Sequence, residues 1–565
     1  MSELQHIIKV NHIGFREKSQ KRFVLTDNPQ NAETFEIQYI SHTEYKTVYK
    51  SNLTKVSDEE GHIFRTGDFS CVEKPGDYVI KVGNVLSRTF VIYDKAYDMC
   101  ARTLLSYFTY QRCGSDLGWA GKCHLDDGYI AESGEHIDLS GGYHQSCDLR
   151  KSPAGCSIGV LSMLRYALKS TSSWGNILLK DEVRWACDYY VKTIQSNGVM
   201  YDTLNEPFGW EGRRFYKSGA PSSAQWCTTS ILALGYEYLK EDFPREASEY
   251  LKKALLSFGY LTSDRRSEEV YRQPAPAPRG MDREFFYSLC YKGSVADMAY
   301  LTMCACDLYK VTNDKKYLPF IKKGSDFVFD SFFEGEYSYL LNSGKDSLNN
   351  MNNAGTYAIY PAGIISLCSA AEILDTDEIK KKLKSVANSV IETADENVWR
   401  ILPAIYTEDD LNQPFGHTPN GQKQKTMRDI LPNRIITGKL KSNGKETICY
   451  QDKTRKGIAP QSYTYYGIFL AKCSKILNDK KYLDYAQSYL DLLIGANEFD
   501  SSFINGVGYN IPNHVAFGQF FPSTPFIPGA CGIGYKTPDV YTCRSEYDMP
   551  IVGMVMNLIG EMEDN

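Results

Sequence analysis

The feature that most limits what this chain can fold into is a change of hydrophobic period near residue 97. Before it, apolar and polar residues alternate in short runs: IIKVNHIGF, KRFVLTD, FEIQYIS, HIFRTGDFS, GDYVIKVG and SRTFVIYD. Asn, Asp, Gly and Pro turns separate them. A period of two belongs to strands with one buried face, and short strands at this spacing predict an antiparallel β-sandwich of immunoglobulin size. In KPGDYVIKVG the Pro-Gly turn leads into Tyr78, Ile80 and Val82, which are expected to face inward.

After residue 97 apolar residues recur at i, i+3, i+4 and i+7, the stripe of an amphipathic helix. About twelve helical candidates follow, most of them with this stripe, near 98–112, 153–170, 179–195, 221–240, 245–259, 293–310, 315–333, 356–374, 377–394, 459–477, 480–494 and 547–562. Twelve helices joined by several long loops suit two concentric rings of six, an all-α (α/α)6 barrel. No short-period repeat is visible, which argues against a regular solenoid. At 565 residues the chain exceeds what one core serves. The expected division is an Ig-like β-sandwich over 1–95 and a helical barrel over 96–565.

Charge and composition exclude several partners. A formal net charge of -6 argues against nucleic acid or an anionic membrane as the main partner. No run reaches the ~18 apolar residues of a membrane span. The start, MSELQHIIKVNHIGF, lacks the basic and apolar regions of a signal peptide, so a cytoplasmic location is expected. The cysteines scatter from Cys71 to Cys543 without a disulfide framework, and several, such as Cys304 and Cys306, sit in apolar helical patterns. They read as reduced, buried thiols. Aromatic residues make up 13% of the chain, and rings placed among polar loop residues suit sugars, whose C–H faces stack on them.

Long loops in a compact domain usually carry function. Here they are 113–152, 196–220, 259–292, 395–458 and 495–546. The first holds Cys113, Cys123, His124 and His144 in a chain with only 9 histidines. Two thiols and two imidazoles are the inventory of a tetrahedral zinc site, although its spacing differs from a zinc finger's and unrelated residues could share a loop. With all four positions filled by protein, the metal would be structural. The same stretch ends in GGYHQSCDLRK, where Asp148 follows a Gly-Gly turn; alone, such an Asp is a turn or cap residue. Near the C-terminus, a glycine- and aromatic-rich stretch leads to Glu546 just ahead of the last helix. A carboxylate there suits the helix dipole, and equally a general acid in an enclosed cleft.

In this order the motifs resemble glycoside hydrolase family 9, in its cellulase-like subgroup with an N-terminal Ig-like domain. VNHIGF, DFS and PGDYVIKVG resemble the Ig module. Tyr110-Gln111-Arg112-Cys113-Gly114 with Cys123-His124 resembles the entry to the catalytic domain. GGYHQSCDLRK resembles the family's GGWxDAGDxxK, and YLDLLIGANEFDSSFINGVG its G-x-N-P…SFVTGxG loop. The final Glu before a Pro-containing helix resembles Glu546-Tyr547-Asp548-Met549-Pro550.

The resemblance implies an inverting β-glycosidase acting on β-linked glucan or related oligosaccharides or polysaccharides. Asp148 takes the position of the catalytic base and Glu546 that of the general acid. Cys113, Cys123, His124 and His144 take those of a structural zinc. The chain departs from the pattern at Gln145, where the family has a water-holding aspartate. It departs again at Cys147 in place of glycine, and at His514, which Val515 and Ala516 follow where the family has a His-Arg pair. Gln145 can accept a hydrogen bond but brings no charge, so the base at Asp148 is expected to be weaker. His514, Trp210, Trp226, Tyr463, Tyr466 and Arg213 are expected sugar contacts, on the reading that GWEGRRFYKSGAPSSAQW walls the cleft. The alternative reading is a catalytically impaired carbohydrate-binding protein on a hydrolase scaffold.

Overall fold

The computed structural model describes residues 6–42, 44–57, 63–116, 121–146, 149–203, 213–266, 292–332, 362–402, 405–406, 408–412, 428, 435–442, 444–452, 460–511, 526–532 and 547–565. Its strands before the first helix are β1 (Ile8–Lys9), β2 (Gly14–Phe15), β3 (Arg22–Leu25), β4 (Thr34–Ser41), β5 (Glu44–Asn52), β6 (Thr54–Ser57), β7 (Ile63–Asp68), β8 (Gly76–Val82), β9 (Val85–Leu86) and β10 (Phe90–Ile92). One sheet has the order β1-β3-β7-β6. The other runs β2-β10-β8-β4-β5, with β9 on β8. Only β2 and β10 pair in parallel among the described strands of this sandwich.

The two sheets close over a core that includes Phe15, Phe23, Phe35, Phe69 and Phe90, with Phe15 edge-on to both Phe69 and Phe90. Tyr78, Ile80 and Val82 are buried as expected. The run at 7–15 is not one strand. It crosses from the first sheet to the second at Asn11, whose Oδ1 accepts from the backbone N–H of Ile13 and Gly14 at 3.0 and 3.2 Å. That local bond offers the backbone a turn in place of the ladder.

Beyond residue 97 the long helices are α1 (Asp98–Tyr110), α2 (Pro153–Ala167), α3 (Gly175–Thr193), α4 (Ser222–Leu239), α5 (Pro244–Leu261), α6 (Val295–Thr312), α7 (Leu318–Phe332), α8 (Ala362–Leu374), α9 (Asp377–Ala394), α10 (Pro460–Leu477), α11 (Lys481–Leu493) and α12 (Met549–Glu563). Each even-numbered helix packs on the next: α2 on α4, α4 on α6, α6 on α8, α8 on α10, α10 on α12, and α12 back on α2. This is the closed inner ring of an (α/α)6 barrel, and the odd-numbered helices lie outside it. Burial follows. Every residue is buried from Ser222 to Gly235 in α4, from Val295 to Leu308 in α6, and from Met549 to Met562 in α12. Helices buried on all sides belong inside a bundle. The outer α5 and α9 bury one face only.

The ring closes tightly. Gly159 of α2 and Gly553 of α12 meet backbone to backbone, and a methyl on Gly553 would collide with the Gly159 carbonyl. A methyl on Gly159 would likewise strike the backbone of Met549. The crossing therefore sets the first turn of α12 against α2, so that the loops entering the two helices converge.

Two small sheets that the hydrophobic period did not signal lie within the long loops. β11 (Tyr129–Ile130), β12 (Tyr201–Thr203) and β13 (Phe215–Ser218) pair in the order β11-β13-β12. β14 (Ile405–Tyr406) pairs with β16 (Lys445–Asp452), which forms a hairpin with β15 (Ile435–Ser442). Among the described residues no helix is long and apolar enough to cross a membrane.

Candidate active site and metal cluster

The end of α1 and the segment 142–144 run side by side. Cys113 N–H donates to the Gly142 carbonyl at 2.9 Å, and His144 N–H to the Gln111 carbonyl at 2.8 Å. This pairing brings Cys113 next to His144, and the loop between them folds Cys123 and His124 onto the pair. Cys113 Sγ lies 3.8 Å from Cys123 Sγ and 2.9 Å from His124 Nδ1. Cys123 Sγ lies 3.1 Å from His144 Nε2. All four ligand atoms fall within 4.8 Å of one another. Cys113, Cys123 and His144 are buried, and His124 is half-buried.

These residues fit a metal. With Zn–S bonds of about 2.3 Å, two sulfurs on a tetrahedron stand about 3.8 Å apart, the separation found here. Burial holds the His144 ring below its usual range, so it is neutral, the form that ligates. The two sulfurs lie within hydrogen-bond reach of each other. A hydrogen bond from Cys113 draws Cys123 down to about 2, against its burial, while burial pushes Cys113 well up. A divalent cation held by these residues would take both sulfurs as thiolates, with release of their protons. Hard metals that take only oxygen ligands do not match this donor set.

A buried charge cluster backs the metal cluster. Lys151 Nζ pairs with Asp127 Oδ2 at 2.6 Å, both side chains being almost wholly buried. Tyr216 OH donates to the same oxygen at 2.8 Å. Arg214 Nε stands 3.9 Å from Asp127 Oδ1, and its Nη2 contacts His124 Nε2. The spacing of Cys and His had not signalled Asp127, Lys151 or Arg214. Charged residues in a loop read as solvated until the fold buries them.

From the metal cluster the chain runs directly into the motif with Gln145. The Gln145 carbonyl accepts from Tyr107 OH at 3.0 Å and from Met549 N–H at 3.1 Å. Its amide Nε2 donates to Asp548 Oδ1 at 3.2 Å. A methyl on Gly155 would collide with Gln145 Oε1, so that oxygen lies against the first turn of α2. Next to it, Ser146 Oγ donates to the Tyr547 carbonyl at 2.6 Å. The loop that leads to Asp148 and the segment that follows Glu546 are thus stitched together. Asp148 and Glu546 themselves lie outside the described residues, as do Cys147, Trp210 and His514 and the side chain of Tyr463. Asp548 is a further buried carboxylate of this seam that the motif reading had not singled out.

The structure moves two expected sugar contacts into the core. Trp226 is fully buried, its indole N–H donating to Asp297 Oδ1 at 2.8 Å. Tyr466 is buried against Tyr465 and Tyr489. Both sit on inner-ring helices, where an aromatic ring fills the barrel. Arg213 is exposed, its guanidinium stacked 4.9 Å from the centre of the Tyr129 ring.

Comparison with known proteins agrees with this architecture. Residues 4–87 match the cellulase N-terminal ig-like domain. A cellodextrinase of Butyrivibrio fibrisolvens is 24% identical over 343 residues, which cover 55% of this chain and 59% of that relative, less than two thirds of its length. Among solved structures, Bacteroides ovatus GH9 shares the fold with a TM-score of 0.67 at 18% identity, over 99% of both chains. A Zn-binding triple mutant of a GH family 9 endoglucanase does so with a TM-score of 0.66 at 16% identity, over 97% of this chain and 99% of that one. Residues 97–517 match the family model of glycosyl hydrolase family 9, a span that includes Asp148 and the metal cluster and ends before Glu546; the chain belongs to that family.

Proposed function

We propose that the protein is an inverting β-glycosidase that hydrolyses β-linked glucan or related oligosaccharides, with Asp148 as general base and Glu546 as general acid. The observation that carries this reading is the seam between Ser146 and Tyr547. Asp148 comes two residues after one side of it and Glu546 one residue before the other. A hydrolase of this kind needs two carboxyl groups facing each other across the glycosidic bond, with room for a water between. Glu546 protonates the leaving oxygen, and Asp148 takes a proton from the water that attacks the opposite face. Family membership and the cellodextrinase relative support a β-glucan substrate.

Gln145 sets this chain apart. Its amide is committed to Asp548, so no charge at position 145 helps to orient the water. Asp148 then has no second carboxylate at position 145 to help hold and polarise the water, and works alone as the base. Turnover is expected to be slow by about 10²–10⁴-fold relative to a site with both carboxylates. His514, Trp210, Tyr463 and Arg213 remain the proposed sugar contacts. Cys113, Cys123, His124 and His144 are proposed to hold a structural zinc, which supplies cross-linking of the loop rather than chemistry on the substrate.

The test is hydrolysis of cello-oligosaccharides by the wild type, Asp148→Ala and Glu546→Ala. Loss of turnover in both variants, with sugar binding kept, is the expected result. The rival reading, a binding protein on a hydrolase scaffold, is favoured by the Gln145–Asp548 bond. Equal binding and equally absent turnover in all three proteins would establish it.

A further inference from the structure

We infer that Lys151 is a positioning residue for the base: with its partner Asp127 it clamps the turn that carries Asp148, opposite the metal ligand His144. This inference rests on Asp148 being the base.

The turn has two feet. His144 and Lys151 face each other as a β-bridge, and inside it Gln145 N–H donates to the Arg150 carbonyl at 2.8 Å. One foot is therefore the metal ligand. The other is fixed at both ends of its residue. Lys151 Nζ is bound by Asp127 and by the Leu139 carbonyl, and it lies 5.0 Å from the centre of the Tyr189 ring. Its own carbonyl accepts from Thr203 Oγ1 at 3.2 Å. A lysine with no exposed surface held in this many ways cannot shift without dragging the turn along.

Two further observations point the same way. Leu149, the residue after Asp148, is buried with φ at +59°, a strained conformation for a non-glycine residue that persists only where its surroundings impose it. The clamp also runs on to the metal cluster, since Asp127 faces Arg214, and Arg214 contacts His124. A buried ion pair is poor value as a stabiliser, because well-packed apolar residues of the same size do as well or better. What it adds is a fixed position, and that position is the foot of this turn.

The experiment compares metal-loaded wild type with Lys151→Met and with the double variant Lys151→Met/Asp127→Asn, which removes one charge of each sign and keeps a side-chain oxygen facing Tyr216 and Arg214. Metal content, Tm, kcat, KM and amide exchange of the 144–151 peptide are measured. Lys151→Met alone is expected to lower Tm. In the double variant Tm and metal content are expected to return to wild-type levels, while kcat stays about 10–100-fold low with KM within about threefold. Exchange across 144–151 stays faster than in the wild type. Recovery of kcat together with Tm, or unchanged exchange, would overturn the proposal. Turnover that survives Asp148→Ala would sink the base assignment instead, and the exchange result would still decide whether the clamp holds the turn.

Discussion

At the scale of single residues, the Gln145–Asp548 pair is the most informative departure from the family pattern. A neutral amide donates to a buried carboxylate at 3.2 Å. Gln145→Glu keeps the shape but sets two carboxylates together, so one of them must hold a proton or repel the other. Its Tm is expected to fall below the wild type at pH 8 and to recover near pH 4. Gln145→Glu/Asp548→Asn reverses the polarity of the bond and is expected to restore Tm at pH 8. Thermal unfolding at the two pH values checks both; a double variant no better than the single would show that the pair does not act as one bond. The identity of Gln145 was plain in the motif, but its partner was not. Asp548 lies 403 positions away, and only the α2–α12 crossing brings the two together.

At the scale of elements, the Cys/His cluster and its loop form one unit. Cys113, Cys123, His124 and His144 were legible because they stand close together in a chain with only 9 histidines, and the fold gathers all four. The supporting charges were not legible, since Asp127, Lys151 and Arg214 look like surface residues until the small sheet β11-β13-β12 covers them. Its strands are two to four residues long, too short for a period to show. The twelve long helices were legible for the opposite reason: each is at least 13 residues long, enough for a helical period or a sustained apolar run to show. Removal of the metal by a chelator is expected to lower Tm by several degrees, with recovery on adding zinc. Differential scanning calorimetry with parallel metal analysis checks this, and a Tm indifferent to metal content would contradict a structural role.

At the scale of the whole molecule, the sandwich docks on the barrel through buried polar groups. Asn11 Nδ2 donates to Asp491 Oδ1 at 2.8 Å, and Gln487 Nε2 reaches the same oxygen at 2.6 Å. His12 Nε2 meets Asp500 Oδ1 at 3.0 Å, and Arg88 pairs with the other oxygen of Asp500 at 2.9 Å. Burial pushes the Asp491 carboxyl up to about 7, although hydrogen bonds from Asn11 and Gln487 pull it the other way. The folded state thus favours its protonated form. That contribution is complete below the unfolded pKa near 4 and is lost as pH rises towards 7. Asp491→Asn keeps the acceptor and removes the titration. Its Tm is expected to match the wild type near pH 4 and to exceed it increasingly up to pH 7, with a constant gap above; a gap that ignores pH would contradict this. The β-sandwich and the barrel were both legible in the sequence from period alone, but not how they dock, because interface polar residues carry no period.

The account as a whole stands on inversion by two carboxylates, and proton NMR of a cello-oligosaccharide during its first minutes of hydrolysis tests that most directly. The expected result is that the α-anomer of the new reducing end appears first and the β-anomer grows in only by mutarotation. A β-anomer appearing first, or no new reducing end from metal-loaded protein, would contradict it.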